Sequence, residues 1–332
     1  MRILVFGAGA LGQAIGCLLA VDNHAVDMIL RERFIGKIRD NGLSVTGIFG
    51  DYHAATERLG LYPTVDNLPA EPYDYALVTT KSYDTVTACM ELARLPDKTF
   101  TAVSLQNGCG NLEVLVSRFG ELHALGGRVI TGFEIERPGM VRITVTADDI
   151  HIGGYTEGDI PAAATRIADA LAKAGLPCVA TPFLRRDLLA KLLYNCALNP
   201  LGALLGVHYG VLGDSKQSRE VMDTVIGEVF SVIKAMGEST HWNSAAEYRE
   251  FFYEQQIPAT YDHRPSMLQD LENGKRTEVD ALTGYVSAQG RRNQVPTPVC
   301  DTLTALIHFR ETVSEKKEPS QGEELFHPLP EG

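Results

Sequence analysis

The 332-residue chain has no CxxC pair; its six cysteines (Cys17, Cys89, Cys109, Cys178, Cys196 and Cys300) are scattered. Scattered thiols in a chain this long read as reduced residues of a cytosolic protein, and no metal site is expected. Cys17 and Cys196 fall in apolar helical stretches and are expected to be small core residues. Positive charge is also short: 30 Lys and Arg stand against 42 Asp and Glu, a formal net charge of −12. That balance argues against nucleic acid or an anionic membrane as the main partner, while leaving room for a local basic pocket that takes a small anion. No leader of signal-peptide type precedes the first strand-like run. No apolar run is expected to span a bilayer. No internal repeat is visible. What is present is ample core material, 45% hydrophobic residues, in a length that suggests about two domains.

The first half reads as alternating strands and helices. Residues 1–6 are a short apolar run ending at a glycine cluster, the pattern of a buried parallel strand. Residues 10–21 suit a helix, 26–30 a second strand and 31–40 a second helix. Residues 75–79 and 100–105 are further buried-strand candidates, with a helical stretch near 84–93 between them. This alternation predicts an α/β domain with a mainly parallel sheet. Short alternating runs from about 122 to 153 suggest that the sheet closes with antiparallel strands. Beyond residue 160 helical periodicity dominates, over 161–174, 183–198, 217–237, 244–255, 278–290 and 298–312. The expected division is therefore a Rossmann-type dinucleotide-binding domain over 1–182, an all-α domain over 183–312, and a charged, proline-containing tail over 313–332 with little to bury.

Gly7-Ala8-Gly9-Ala10-Leu11-Gly12 matches GxGxxG, between a predicted strand and a predicted helix. The first glycine permits a tight turn, the second lets backbone approach a pyrophosphate, and the third lets the helix pack close to the strand. The helix N-terminus then offers N–H groups and the positive dipole end to phosphates. An acid at the end of the second strand would bind a ribose 2′-hydroxyl, whereas an arginine favours a 2′-phosphate. Arg31 is the first residue past that strand and Glu32 follows it, so NADP(H) is the favoured cofactor.

Two further loops follow predicted strands, where open α/β sheets bind ligands. One carries Lys81, within reach of a cofactor phosphate or ribose. The other carries Asn107, both donor and acceptor. The most informative segment is Lys191-Leu-Leu-Tyr-Asn195-Cys-Ala-Leu-Asn199-Pro200, in which Lys191, Asn195 and Asn199 recur every four residues on one helix face. Polar groups in an apolar helix either form an internal network or face a polar ligand. Pro200 disfavours helical geometry at Asn199, so a kink or restart is expected there. Ser266 opens a helix-like run. Thr277 could cap another helix, with Glu278 and Asp280 suited to its dipole.

Taken together, GAGALG at 7–12, Leu30-Arg31, Lys81, QNG at 106–108, KLLYNCALNPLGAL at 191–204, SMLQD at 266–270 and RTEVDALTGYV at 276–286 resemble the ketopantoate reductase (2-dehydropantoate 2-reductase) family. The resemblance runs from Met1 to about residue 312. It implies an enzyme of pantothenate biosynthesis that reduces a 2-oxo acid with NADPH. It also implies site roles: Lys191 as general acid, Glu278 as a second catalytic or orienting group, and Asn195, Asn199 and Ser266 lining the substrate site. Asn107 would sit beside the reacting centre as a further substrate contact, and Arg31 on the 2′-phosphate. Cofactor contacts are expected from Gly7, Ala8, Gly9, Ala10, Leu11, Gly12, Lys81, Asn107 and Glu278. Residues 122–146 and 242–263 match no motif and could shape the pocket entrance. Competing readings are a related reductase of another 2-oxo or 3-hydroxy acid, and a non-catalytic NADP-binding sensor. A sensor has no need of a general acid. Apolar helices in the second half could bury a homodimer interface, although core is their commoner use. The expected location is the cytoplasm.

Overall fold

A computed structural model describes residues 1–315; the expected tail over 316–332 lies outside them, and residues 313–315 continue the helix Pro298–Glu315. The chain forms two compact units. One comprises Met1–Tyr194 with Phe230–Ser244, the other Asn195–Val229 with the residues from Ala245 onward.

Twelve strands lie in the first unit. They are β1 (Arg2–Phe6), β2 (Ala25–Ile29), β3 (Leu43–Gly47), β4 (Tyr52–Ala54), β5 (Leu59–Tyr62) and β6 (Tyr75–Val78). Then come β7 (Thr101–Ser104), β8 (Ala124–Arg128), β9 (Thr131–Arg137), β10 (Met140–Thr146), β11 (Ile150–Gly153) and β12 (Cys178–Ala180). Eight make one sheet in the order β12-β11-β8-β7-β6-β1-β2-β5. From β5 across to β8 every pairing is parallel, and β11 then runs antiparallel to β8. Parallel central strands are covered on both faces, and Ile3, Leu4, Val5, Ala76, Leu77 and Val78 are fully buried. The chain order reverses beside β1, which places the loops after β1, β6 and β7 at the C-terminal edge where such sheets bind ligands.

The stretch from 122 to 153 departs from the sequence reading. Only β8 and β11 join the main sheet. β9 and β10 form a hairpin in a second, four-stranded sheet with β3 and β4. Alternation reports which face of a strand is buried but not which strand it pairs with. The helix Ala10–Val21 lies against this second sheet: Gln13 Oε1 accepts from the Gly139 amide at 3.0 Å, and the Cys17 thiol donates to Leu43 O at 3.2 Å.

The helix Leu184–Leu205 begins in the first unit and ends in the second. It continues through Pro200 without the expected restart. Proline costs a helix one N–H bond and a steric adjustment; burial of Leu198, Asn199 and Leu201 around it sustains the helix regardless. This helix also corrects the expectation about membrane spans, since by length and composition alone it could cross a bilayer. Two thirds of its apolar window (67%) is buried within the protein, as in a core helix.

The second unit is helical among its described residues. The helix expected over 244–255 is Ala245–Phe251 followed by a wide π-turn over Phe252–Gln256. The helix expected from 278 begins later, at Thr283, after a 3₁₀ turn over Val279–Ala281.

Candidate active site

The glycine loop follows β1 directly. Gly7 has φ of +113°, and a Cβ on it would meet the Thr80 amide nitrogen at 2.8 Å. A Cβ on Gly12 would lie 2.0 Å from Gly7 O, so only glycine lets the helix pass this close to the turn. Gly9 differs. It is exposed, it sits at the helix N-cap without a side-chain cap, and a Cβ there would meet nothing nearer than 3.9 Å. Backbone at Gly9 is therefore open for approach by a phosphate, while Gly7 and Gly12 are closed against protein, and this is the cradle a dinucleotide pyrophosphate needs. The cradle is braced from below. Gln13 Nε2 donates to Ala8 O at 2.8 Å and the Thr79 hydroxyl donates to Gly7 O at 2.7 Å.

Arg31 lies just past β2, exposed, at the N-cap of the helix Glu32–Asn41. Lys81 follows β6 and is half-buried. Its loop is tied to the one after β7 by Gln106, whose side-chain amide donates to Thr85 Oγ1 at 2.9 Å and to Lys81 O at 3.2 Å. Asn111 closes the same network, accepting from the Thr85 hydroxyl at 2.8 Å and donating to Asn107 O at 2.9 Å.

Lys191 and Asn107, 84 residues apart, meet here. Lys191 Nζ donates to Asn107 Oδ1 at 2.6 Å and also to the carbonyl of Val129, the residue after β8. One helix, one strand-end loop and one strand terminus thus fix the ammonium. Both of these acceptors are uncharged oxygens.

In the second unit Asn195 and Asn199 are buried, 7% and 6% exposed, and Asn199 Nδ2 donates to Asn195 Oδ1 at 3.3 Å. Asn199 Oδ1 is buried without a hydrogen-bond partner among the described residues. An orphaned buried acceptor is costly unless a ligand or water satisfies it. Ser266 opens the helix Ser266–Glu272 and is exposed.

Glu278 is buried and immediately precedes the 3₁₀ turn. Thr277 Oγ1 accepts from the Val279 amide at 3.3 Å, but the residue at the N-cap of that turn is Glu278, not Thr277 as expected. The amide and hydroxyl of Thr277 both donate to Glu311 Oε1, at 2.7 and 2.6 Å. His308 bridges Glu311 Oε2 and Asp280 Oδ1, each at 3.0 Å. Asp280 also accepts from Arg276 at 3.0 Å.

Sequence reasoning missed Gln13, Gln106, Asn111, Glu311 and His308. Gln13 carried a usable signal, a polar side chain inside an apolar helical run. Gln106 stands in the QNG motif without an assigned role, and Asn111, Glu311 and His308 bond Thr85, Thr277 and Asp280 at long range, which spacing does not reveal. Among the described residues no group of His, Cys, Asp and Glu suits a metal ion.

Comparison with known proteins covers nearly the whole chain. The family described as ketopantoate reductase PanE/ApbA matches residues 3–157, and its C-terminal counterpart matches residues 184–311. The 2-dehydropantoate 2-reductase of Aquifex aeolicus is 34% identical over 95% of this chain and 99% of its own. A PanE/ApbA family ketopantoate reductase from Ralstonia eutropha superposes with a TM-score of 0.83, covering 95% of this chain and 100% of its own at 27% identity. A D-mandelate dehydrogenase solved with NADH and anilino(oxo)acetate shares the fold, with a TM-score of 0.81 at 23% identity, covering 95% and 99%.

Proposed function

The chain belongs to the ketopantoate reductase family, a family of nicotinamide-dependent oxidoreductases that reduce 2-oxo acids, and on that premise we propose that it reduces 2-dehydropantoate to pantoate with NADPH. The observation that carries this reading is the grip on Lys191, whose ammonium is held by Asn107 and the Val129 carbonyl within the unit that bears the glycine loop.

NADPH, when bound, supplies the hydride that the ketone carbon accepts. The backbone of Gly7, Ala8, Gly9, Ala10, Leu11 and Gly12 receives its pyrophosphate, Arg31 its 2′-phosphate, and Lys81 a phosphate or ribose oxygen. As the carbonyl carbon is reduced, negative charge collects on the former ketone oxygen. Lys191 stabilises that charge and gives a proton from Nζ to it, completing the alcohol; solvent then restores the lysine proton. Asn107 orients Lys191. Asn195, Asn199 and Ser266 orient the hydroxyl and carboxylate of the substrate, and the unmet Asn199 Oδ1 suits a substrate hydroxyl. Glu278 serves as the second catalytic or orienting group and as a cofactor contact.

In this reading residues 1–182 hold the cofactor and residues 183–312 supply substrate contacts and catalysis. The partner is a small oxo acid rather than nucleic acid or membrane, in the cytoplasm, consistent with a net charge of −12. The deciding experiment is turnover across a panel of 2-oxo acids with NADPH and NADH, in wild type and Arg31→Ala. The expected result is highest kcat/KM for 2-dehydropantoate with NADPH. Loss of Arg31 should cost the NADPH preference about tenfold, near 1.4 kcal/mol, and leave NADH turnover nearly unchanged. Tighter use of NADH by wild type would refute the cofactor assignment, and a better 2-oxo acid would refute the substrate.

A further inference from the structure

We infer that Asp187, gripped between His151 and His241, is a positioning residue for Lys191, setting the height and rotation at which its helix presents the ammonium; this rests on the reading of Lys191 as proton donor.

Asp187 lies in the first turn of the helix Leu184–Leu205, 5% exposed, one turn before Lys191 and on the same face. Its two oxygens have different partners: Oδ2 meets His151 Nδ1 and Oδ1 meets His241 Nε2, both at 2.7 Å. Burial alone would raise the carboxyl pKa, but the hydrogen bonds from His151 and His241 reverse that and hold it below the usual carboxylate range. An ionised carboxylate only accepts, so His151 carries its proton on Nδ1 and His241 on Nε2.

What connects this to Lys191 is a closed path through the sheet. His151 is on β11, directly opposite Arg128 on β8. Arg128 binds Asp148 Oδ2 at 2.7 Å and Asp149 O at 3.1 Å, fixing the end of β8. The next residue is Val129, whose carbonyl accepts from Lys191. The helix is therefore tied to the same two strands at two levels one turn apart, by Asp187–His151 and by Lys191–Val129. From the other side, the segment after the helix Lys216–Ala235 is tied to the first turn twice. His241 binds Asp187, and Glu238 Oε1 accepts from Arg185 Nε at 2.6 Å. A carboxylate with one histidine would fix one direction; with two from separate segments it fixes the rotation of the turn. Misplacing a catalytic group by about 1 Å can cost about 10²-fold in rate.

The test is the single-turnover rate of NADPH oxidation at saturating 2-dehydropantoate, expressed per NADPH-binding molecule so that unfolded protein is not counted. Asp187→Ala should lower that rate at least tenfold with KM within twofold of wild type, and Asp187→Asn, which retains one acceptor oxygen, should recover part of the loss. Should Asp187→Ala fail to fold, His151 carries the test alone. His151→Gln, which keeps an N–H donor, should stay within threefold of wild type, whereas His151→Leu should lose about tenfold. A wild-type rate per folded molecule in Asp187→Ala and His151→Leu, or a loss confined to KM, would overturn the inference. Lys191→Ala run alongside separates the two readings. If it is inactive while Asp187→Ala is not, only the positioning role fails; if it is fully active, the proton-donor reading fails and takes this inference with it.

Discussion

The segments that carry Lys191 and Glu278 are held by different means. Lys191 sits in the α/β unit, where it donates to the carbonyl just past β8 and to the side-chain amide of the loop after β7, both next to strands of the sheet. Glu278 sits among helices, which have no ladder to lend. Its flanking residues Thr277 and Asp280 are instead anchored by side chains of the helix Pro298–Glu315. A ladder is redundant, so losing one side chain leaves the scaffold intact. A side-chain network is not redundant, and a lost member strands the others. Substitutions around Lys191 should therefore show first in the chemistry, and those around Glu278 first in stability.

The largest effect expected is that of Lys191→Ala. Hydride transfer in single turnover should fall by about 10²–10⁴-fold, the usual contribution of a positioned proton donor, while NADPH affinity stays within a few-fold and the chain still unfolds cooperatively. Equal losses in rate and NADPH affinity would show that Lys191 serves the fold or the cofactor, and would erase the contrast between the two regions. Next comes Thr277→Val. The hydroxyl it removes is 2.6 Å from Glu311, and both residues are buried. Leaving a buried carboxylate oxygen one donor short should cost about 1.5–3 kcal/mol, read as a lowered urea midpoint with unchanged slope. A variant that loses rate but no stability would place the Glu278 region under the same rule as Lys191.

The contrast also explains how much could be read in advance. The glycine loop was legible because its three glycines are adjacent in sequence and each has a separate steric duty. The row Lys191, Asn195, Asn199 was legible because helical periodicity turns spacing into a face. Asp187 was not, since its partners are 36 and 54 residues away; nor was Glu311, 34 residues from Thr277. The run 122–153 showed strands, yet their division between two sheets depends on β3 and β4, and the pairing of β3 with β10 lies far along the chain and is not marked by local pattern. At Pro200 local preference favours a break, but tertiary burial carries the helix on without a restart.

The smallest effect expected isolates the electrostatic part of the Glu278 network. Burial of the His308 ring opposes its protonation, but the hydrogen bond to Glu311 and the charge of Asp280 outweigh burial, and the pKa is raised above the ordinary 6.5. A raised folded-state pKa means the protonated ring stabilises the fold. That contribution is complete below the unfolded value near 6.5 and is lost as pH rises through the higher folded value. The ring is 43% exposed, so solvent screening holds the effect to less than about 1 kcal/mol. Wild type should thus unfold at slightly lower urea at pH 9 than at pH 6, and His308→Gln should flatten that slope while keeping an amide that can bond one of the two carboxylates. A slope that persists in His308→Gln would place the titration elsewhere. The network around Glu278 would then act through the hydrogen bonds of Thr277 to the Glu311 carboxylate rather than through the charge of His308.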